Sequence, residues 1–426
     1  MPAIKVLKAR PECASPLGLL GSFHDAKPTV LVTVVLLLCS LVCAQTASAG
    51  HEVNKDKLAP VEFSQAAEVS VPTRDSKHAS ELPIPQEKPK QHRGDFVFAP
   101  LPISSPALGS GIIPALGFIF PLSTRDKVSP PSVIGAAGLI TDNGSRAFAA
   151  FGQIFLREDT YRATSVYFQG NLNYDLYGIG AAAGNAGVKL PLKQDGAIFL
   201  GEFLRVLKWK IFVGPRVLTG HSVITVRPGG SLDIPVPADA NLDTKLTSMG
   251  FSVKRDTRPN RFYPVTGTLF EFTSDFFAES LGSKYSFQSY RTTFNKYWSL
   301  SRNQVLAYNA FLCATGGEPP FYGNCLYGTS NELRGYAAGR YIDRYMIATQ
   351  AEYRLVLPWR FGLIGFAGIG GIAHSGHDLF RSNNFLPAAG TGLRFMLSKP
   401  HHVNLRADFG IGKNEHTFSM GVSEAF

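Results

Sequence analysis

The sequence predicts an all-β protein, a transmembrane antiparallel β-barrel of about 16 strands. From Arg344 to Leu357, apolar and polar side chains alternate, with Ile347 and Leu355 on one face and Glu352 and Arg354 on the other. This stretch is about twice as long as a typical strand of a soluble sheet. An apolar outer face and a polar inner face are typical of strands that separate lipid from an aqueous lumen. The 31 Phe, 15 Tyr and 42 Gly, with only 17% charged residues, favour membrane strands over a helical enzyme.

Residues 1–49 are predicted to be a cleaved signal peptide. A basic segment precedes a single apolar run from Thr29 to Ala44, and the run is followed by Ala47-Ser48-Ala49. The run is shorter than the roughly 20 residues of a spanning helix and has the length of a signal peptide. We expect cleavage after Ala49. Cleavage after Ala44, or retention of the segment as an anchor, is the alternative.

Residues 50–93 are predicted to form a disordered periplasmic tail. They are rich in Pro, Lys, Glu, Gln and Ser, and their apolar residues follow no sustained period. Such a segment buries too little apolar surface to offset the entropy of ordering. It is also too short and too polar for a packed α/β module.

From residue 94 the chain reads as a succession of strands separated by turn residues, such as Asn143-Gly144. The first strand is the least regular, because Pro100 and Pro102 fit only an edge or a seam. The connections alternate between short and long, and Trp209, Trp298 and Trp359 fall at the short-turn side, where an aromatic girdle is expected. The predicted strands are Asp95–Ile103, Gly111–Pro121, Ser132–Ile140, Ser145–Arg157, Tyr161–Tyr174, Lys193–Leu207, Trp209–Val226, Lys245–Lys254, Thr268–Ser280, Lys284–Trp298, Arg302–Cys313, Arg344–Leu357, Phe361–Ala373, Phe385–Leu397, His402–Ile411 and Glu415–Phe426.

Cys313 and Cys325 are the two cysteines that remain after removal of the signal peptide. In an exported protein, two cysteines at this spacing predict a disulfide across an external loop. The alternative is a pair of buried free thiols.

Several other functions find little support. The net charge of +10 is spread over turns and lumen positions, which argues against nucleic-acid binding. Gly368 to Ala373 fits G-x-G-x-x-A, but no helix pattern follows, so we predict no dinucleotide cofactor. His374 and His377 lie far from His401 and His402 in the predicted topology, so we predict no metal site. No G-x-S-x-G element occurs, and we predict no enzymatic activity.

Four segments carry a resemblance to a known family. The loop ahead of the Arg344 strand contains the tetrapeptide Leu333-Arg334-Gly335-Tyr336, and a predicted turn reads DTRPNRFYPVTG, with Asp256, Arg258, Pro264 and Gly267. The strand after the loop reads AEYRLVLP, and Asn173–Gly180 reads NYDLYGIG. Together these resemble the Omp85 superfamily, the BamA/TamA-like barrels of the bacterial surface antigen D15 type, over about residues 94–426.

The resemblance implies a sixteen-stranded outer-membrane barrel whose sixth external loop folds into the lumen. An arginine lowered into a lumen needs a carboxylate, because an unpaired buried charge is costly. Glu352, on the charged face of the next strand, is the expected partner of Arg334. The family tends to place Phe-x-Asp-x-Gly on the following strand, and here Phe366-Ala367-Gly368 lacks the acidic residue. The alternative is that Arg334 is an exposed loop residue.

The C-terminal strand resembles the sorting signal that barrel-assembly machinery recognises. Phe418, Met420, Val422 and terminal Phe426 alternate along it, with Glu424 interrupting the series. We therefore expect the partners to be the lipid bilayer, the assembly machinery that inserts this chain, and unfolded outer-membrane or secreted proteins as substrates. The alternative for the last strand is that it only completes the barrel.

The resemblance implies a function in the cell outer membrane: insertion or translocation of proteins, or lipids, through a lateral seam between the first and last strands, gated by the Arg-Gly loop. Relatives with this activity carry POTRA domains, which residues 50–93 are too short to form. The alternative is a passive pore or a structural surface antigen with no assembly role.

Overall fold

A computed structural model describes residues 94–426, apart from 106–107, 124, 127, 188, 228–240, 262, 329–331, 338, 382–383 and 399–401. The predicted signal peptide and the predicted tail lie outside the described residues. Within the described residues, no helix combines the length and the apolar character needed to cross a bilayer.

Sixteen antiparallel strands follow one another around a single sheet, which confirms the predicted fold class. Two further short strands pair with each other inside one long loop. In chain order the strands are β1 Asp95–Ser105, β2 Gly109–Phe120, β3 Ser132–Thr141, β4 Arg146–Leu156, β5 Tyr161–Leu176, β6 Leu190–Val206, β7 Ile211–Val226, β8 Asn241–Asp256, β9 Gly267–Phe277, β10 Phe287–Ser301, β11 Gln304–Gly317, β12 Cys325–Tyr327, β13 Tyr341–Asp343, β14 Tyr345–Val356, β15 Phe361–Ala373, β16 Phe385–Ser398, β17 Val403–Gly412 and β18 Glu415–Val422.

Helical structure in the described part of the chain is confined to connections. One α-helix, α1, spans Ala181–Ala186. Single 3-10 turns span Lys208–Lys210, Glu279–Leu281, Phe321–Gly323, Pro358–Arg360 and Asp378–Phe380. Trp209, Trp298 and Trp359 all lie at the short-turn end of the barrel and are exposed, as a girdle would require.

The wall is unequal around its circumference. β6 has 17 residues and β18 only 8, so the side that carries the chain's last strand is the shorter one. β1 and β18 lie side by side, yet among the described residues no backbone register joins them. The ladder of paired strands therefore runs unbroken from β1 to β18, but among the described residues it does not continue from β18 back to β1.

Side chains on β14 alternate as predicted: Gln350, Glu352 and Arg354 are buried in the lumen, whereas Ala351 and Tyr353 face outward and are exposed. In the short-turn half of the barrel, buried charged side chains such as Glu352 and Arg354 lie in the lumen together with apolar ones such as Phe155 and Phe212. At the long-loop end the expectation of a wet interior is wrong. There, inward side chains such as Phe168 and Ile224 form one buried apolar cluster.

The cluster is dry because a loop fills it. Phe321, Tyr322 and Ile342, which connect β11 to β14, belong to the same buried cluster as the wall residues. The inward positions there are consequently the core of a packed interior, and apolar side chains are the ones that stabilise such a core.

Candidate functional site

The loop between β11 and β14, residues 318–344, is called L6 here. It enters the barrel instead of extending outward. Leu333 has no exposed surface, and Arg334 and Tyr336 are each 3% exposed. The predicted motif Leu333-Arg334-Gly335-Tyr336 therefore lies buried inside the barrel.

Glycines make this close approach sterically feasible. Gly335 has φ of 113°, a left-handed backbone angle that favours glycine. A Cβ at Gly368 would lie 2.5 Å from Leu333, and one at Gly410 would lie 2.8 Å from the amide nitrogen of Gly335. A Cβ at Gly412 would lie 2.5 Å from the Tyr336 ring. These three wall glycines, on β15 and β17, form what we call the glycine platform, on which the tip of L6 rests.

Arg334 is held on several sides. Its Nη2 pairs with Oε2 of Glu352, and its Nη1 lies 2.9 Å from Oδ2 of Asp408. Its Nε donates to Oε1 of Gln350 at 3.1 Å. The guanidinium carbon lies 3.7 Å from the ring centroid of Phe366, a cation–π contact. The arginine therefore joins L6 to β14, β15 and β17.

Two further arginines extend this network. Arg394 on β16 pairs with Asp408 and, at 2.8 Å, with Glu424. Arg354 lies 2.6 Å from Glu352, and its Nη2 donates to the backbone oxygen of Phe426 at 3.0 Å. Each of these ionised groups is nearly inaccessible to water, where an unpaired charge would be costly. The network consequently couples L6 to the residues that follow β18.

The sequence placed Arg334 with Glu352, and the structure brings them together. Asp408, the second carboxylate, was missed. The family's acidic position on β15 is Gly368 here, and Leu333 takes up the space beside it. Asp408 occupies an inward position on β17, so the alternation of Arg406, Asp408 and Gly410 was the signal available in the sequence.

The predicted turn motif, residues 256–267, closes the short-turn end of the lumen. Asp256 accepts from Arg258 Nε at 2.9 Å, which folds the turn on itself. Gly267 has φ of 96° and packs against the backbone of Thr257. The carbonyl of Pro264 accepts from Arg354 Nη1 at 3.3 Å. This turn is therefore in contact with the arginine network.

Cys313 and Cys325 form a disulfide. Cys313 faces inward on β11 and Cys325 lies in β12, and both are buried. The expectation of a bridge across an external loop is wrong in its location. The bond ties the first arm of L6 to the lumen wall, because that arm has itself folded inside.

The residues of the predicted C-terminal signal lie in two different environments. Phe418 is 47% exposed on the outer face of β18, and Met420 shares that face. The backbone of Val422 ends β18, and its side chain lies outside the described residues. Phe426 does not continue the alternation: its ring centroid lies 5.9 Å from the Arg334 guanidinium inside the lumen.

Three tyrosines of L6 pack edge to face on the side of the loop nearer the long-loop end of the barrel: Tyr327, Tyr336 and Tyr341. The Tyr336 hydroxyl donates to the carbonyl of Pro387 and accepts from the Lys413 amide at 2.9 Å. Burial raises the pKa of Tyr336 to about 12. The phenol is therefore a stable donor at neutral pH.

A second loop, residues 177–189 with α1, lies over this cluster. Gly180 donates its amide to the Ile342 carbonyl at 2.7 Å. Gly184 has no Cβ, which leaves room for the Tyr341 ring. Arg340 lies 3.2 Å from Glu415 at the start of β18. L6 is thus covered by this second loop on one side and held by the arginine network on the other.

Comparisons with known proteins agree with this geometry. A model of the Omp85 superfamily domain matches residues 158–426. The fold is similar to BamA from Haemophilus ducreyi lacking POTRA domains 1-3, with a TM-score of 0.52 and 14% identity over 78% of this chain and 70% of that chain.

It is also similar to CdiB from Acinetobacter baumannii, with a TM-score of 0.52 and 12% identity over 78% of this chain and 60% of that one. For CdiB from Escherichia coli the TM-score is 0.52 and the identity 13%, over 77% of this chain and 62% of that one. At these identities the similarity concerns the fold. No curated protein matches the chain significantly.

Proposed function

This chain belongs to the Omp85 superfamily, and from that membership we propose that it inserts proteins into the outer membrane, or passes proteins or lipids across it, through the β1–β18 seam and the lumen. As a barrel of this superfamily it is an outer-membrane protein. The described residues comprise the barrel and its connections, without a POTRA-like module.

The observation that carries the proposal is the missing register between β1 and β18, and the prolines of β1 supply a physical reason for it. Pro100 stands opposite Pro114 on β2. Neither residue has an N–H, so this cannot be a hydrogen-bonded pair. Because such pairs alternate along an antiparallel ladder, Pro100 and every second residue direct their backbone groups away from β2, into the seam.

Pro102 belongs to the same set. The part of the β1 edge nearer the long-loop end therefore offers β18 no N–H donor at Pro100 or Pro102. Phe96 and Phe98, nearer the short-turn end, keep their backbone N–H donors facing the seam. An edge with free donors is a template for an incoming strand. The short-turn half of the seam is therefore the part suited to pair with a client.

Contacts of the arginine network with the strands nearest the seam support a gating role for L6. Arg334 binds Asp408 on β17, and Arg394 binds Glu424 just beyond β18. Withdrawal of Arg334 would remove one of the links that hold L6 to the strands nearest the seam. We infer that docked L6 stabilises the closed seam and that its release favours opening.

A passive pore is the alternative, and the packed interior argues against it. The apolar cluster that includes Phe321 and Tyr322 fills the long-loop half of the lumen, leaving no wide water-filled path there among the described residues. A stable wide conductance in planar bilayers, unchanged by deletion of L6, would instead favour the simple pore.

A cross-link across the seam tests the proposal. Phe98→Cys with Met420→Cys would join β1 to β18, both positions facing outward. Proteoliposomes carrying the oxidised double variant are given a urea-unfolded outer-membrane barrel protein, and its insertion is followed by heat-modifiable gel mobility. We expect insertion to be lost on oxidation and restored on reduction.

The matched control places the same cross-link where a ladder already exists. Phe409 and Phe418 are register partners on β17 and β18. The double variant Phe409→Cys with Phe418→Cys should insert the client equally well in both redox states. Undiminished insertion by the oxidised β1–β18 variant would rule out lateral opening.

A further inference from the structure

A group of basic side chains lies on the outside of the barrel at its short-turn end, away from the seam and the lumen. Arg205 on β6 and Arg255 on β8 are exposed, as are Lys208 and Lys210 in the turn between β6 and β7. Arg157, in the turn between β4 and β5, is exposed as well. We call these five residues the basic rim.

Side-chain alternation and aromatic contacts place the rim on the lipid side of the wall. On β6, Leu204 is buried, whereas Phe203 and Arg205 on either side of it are exposed. The guanidinium carbons of Arg157 and Arg205 lie 5.8 Å and 6.0 Å from the ring centroid of Tyr161. That ring stacks on Phe203 at 5.6 Å. The cations are therefore adjacent to aromatic side chains of the outer face.

The turn between β6 and β7 carries its side chains outward. Trp209 and Lys210 have φ of 60° and 57°, in the left-handed region that residues other than glycine adopt uncommonly. Trp209 is 79% exposed. Arg255 reaches this turn from β8, because its Nε donates to the Trp209 carbonyl at 3.3 Å. An exposed indole is thus accompanied by Lys208, Lys210 and Arg255.

The positive charge of the rim is not balanced by nearby acids. Within the described residues, no carboxylate oxygen lies within 4.0 Å of a side-chain nitrogen of the five rim residues. Two acids of the same turns pair elsewhere: Asp159 with Arg162 at 2.7 Å, and Asp256 with Arg258 at 2.9 Å. Glu158 adds one exposed carboxylate to these turns. The rim consequently presents an excess of positive charge to its surroundings.

We propose that the basic rim binds anionic phospholipid of the periplasmic leaflet, with the lipid phosphate at Lys208, Lys210 and Arg255. The short turns of an outer-membrane barrel face the periplasm, so the rim lies at the head-group level of that leaflet. Lys and Arg extend from apolar surface toward head groups, and Trp and Tyr favour the same depth. Clusters of such cations attract anionic lipids.

The outer face next to the cations favours a lipid over a soluble acidic partner. Phe203 and Leu207 are 45% and 55% exposed, so an apolar layer adjoins the charged one. A phosphate joined to an acyl chain matches that order of layers. A zwitterionic lipid fits less well, because its own ammonium group is repelled by the rim.

Trp209 serves as the reporter of lipid binding. In the full chain with Trp298→Phe and Trp359→Phe it is the only tryptophan of the three that remains. This variant is reconstituted into phosphatidylcholine vesicles. Increasing fractions of phosphatidylglycerol or phosphatidylcholine, each with a nitroxide close to the glycerol backbone, are then added. Half-maximal quenching should need about tenfold less of the labelled phosphatidylglycerol, because three exposed charge pairs contribute roughly twofold each.

Charge removal at the rim tests the assignment of residues. Lys208→Gln, Lys210→Gln and Arg255→Gln, combined in the same single-tryptophan chain, should bring the preference to within about twofold. Quenching by the labelled phosphatidylcholine should stay unchanged, which shows that Trp209 keeps its depth. Heat-modifiable gel mobility checks that the barrel is folded.

The matched control removes three charges from the same end of the barrel but outside the rim. It combines Lys296→Gln on β10 with Arg302→Gln and Arg360→Gln in two other short turns. This control should keep the preference for phosphatidylglycerol. An equal loss in the control would attribute the effect to net charge and would overturn the assignment.

Two measurements on the chain with an intact rim decide the proposal without any rim variant. High salt should remove the preference, because exposed charges are screened; a preference that persists would contradict binding through these cations. Equal quenching by the two labelled lipids at low salt would overturn the proposal and leave the rim to a soluble acidic partner.

Discussion

Replacing Arg334 by alanine is the sharpest perturbation of L6. The change removes the pairs with Glu352 and Asp408, the hydrogen bond to Gln350 and the stacking on Phe366. The barrel wall keeps all its ladders, so the variant should still insert into the membrane. The loop should open more often.

The magnitude follows from what each carboxylate retains. Breaking a buried ion pair by removing one partner costs about 3–5 kcal/mol. Glu352 keeps Arg354 at 2.6 Å and Asp408 keeps Arg394, so neither is left unpaired. We therefore take the lower end, about 3 kcal/mol, which raises the population of opened loop roughly 150-fold at 1.36 kcal/mol per tenfold.

Limited proteolysis of residues 318–344 in intact proteoliposomes measures this. When opening is fast relative to cleavage, the cleavage rate follows the open population, so it should also rise roughly 150-fold. Arg334→Lys should fall between wild type and Arg334→Ala, because an ammonium cannot reproduce the planar donor geometry. Arg360→Ala, in an exposed turn, is the control. Equal cleavage of wild type and Arg334→Ala would refute a docked, ion-paired L6.

Three further predictions concern the anchoring of L6. Cys325→Ser frees the first arm of the loop from β11 and should raise cleavage there by more than it raises cleavage near Arg340; a uniform increase would contradict the tether. Gly410→Val places side-chain atoms against the backbone of L6 and should displace the loop, whereas Gly365→Val, with nothing within 4 Å of its Cβ position, should not; similar conductance and protease access in the two variants would count against the glycine platform. The pKa of Tyr336 is raised from 10.0 to about 12, so the docked phenol holds its proton more tightly than the same phenol in the unfolded chain. The contribution of this proton to stability is therefore complete below pH 10.0 and is lost as pH rises through about 12. The tyrosinate absorbance difference between wild type and Tyr336→Phe should titrate near 12, and a difference that titrates near 10.0 would show that the hydroxyl is exposed.

The strand content of the barrel could be predicted from the sequence because side-chain alternation reports directly on a wall with two different faces. The strand Tyr345–Val356 shows this best, with bounds within a residue or two of the prediction. The last strand was predicted too long: β18 ends at Val422, and the chain turns away at Ser423, which has φ of 69°. Alternation alone does not reveal where the chain turns into the lumen, because Glu424 and Phe426 bind arginines that are distant in sequence.

The candidate site was only half predictable for the same reason. Arg334 and Glu352 come from adjacent elements, so the motif and the strand face were enough to pair them. Asp408 lies 74 residues from Arg334, and its role depends on β17 coming round to the far side of L6. The apolar inner faces of β5–β7 were likewise interpreted from the polar-lumen rule, which does not hold where a loop packs inside.

Amide hydrogen exchange across the barrel wall tests the unladdered seam most directly. Peptides from β1 and β18 are compared with peptides from β6 and β7, which share a continuous register. We predict rapid exchange at Phe96 and Phe98, whose amides face the seam, together with strong protection throughout β6 and β7. Protection of the β1 amides equal to that of β6 would mean that the barrel is closed by a complete ladder, and lateral passage would have no place in the molecule.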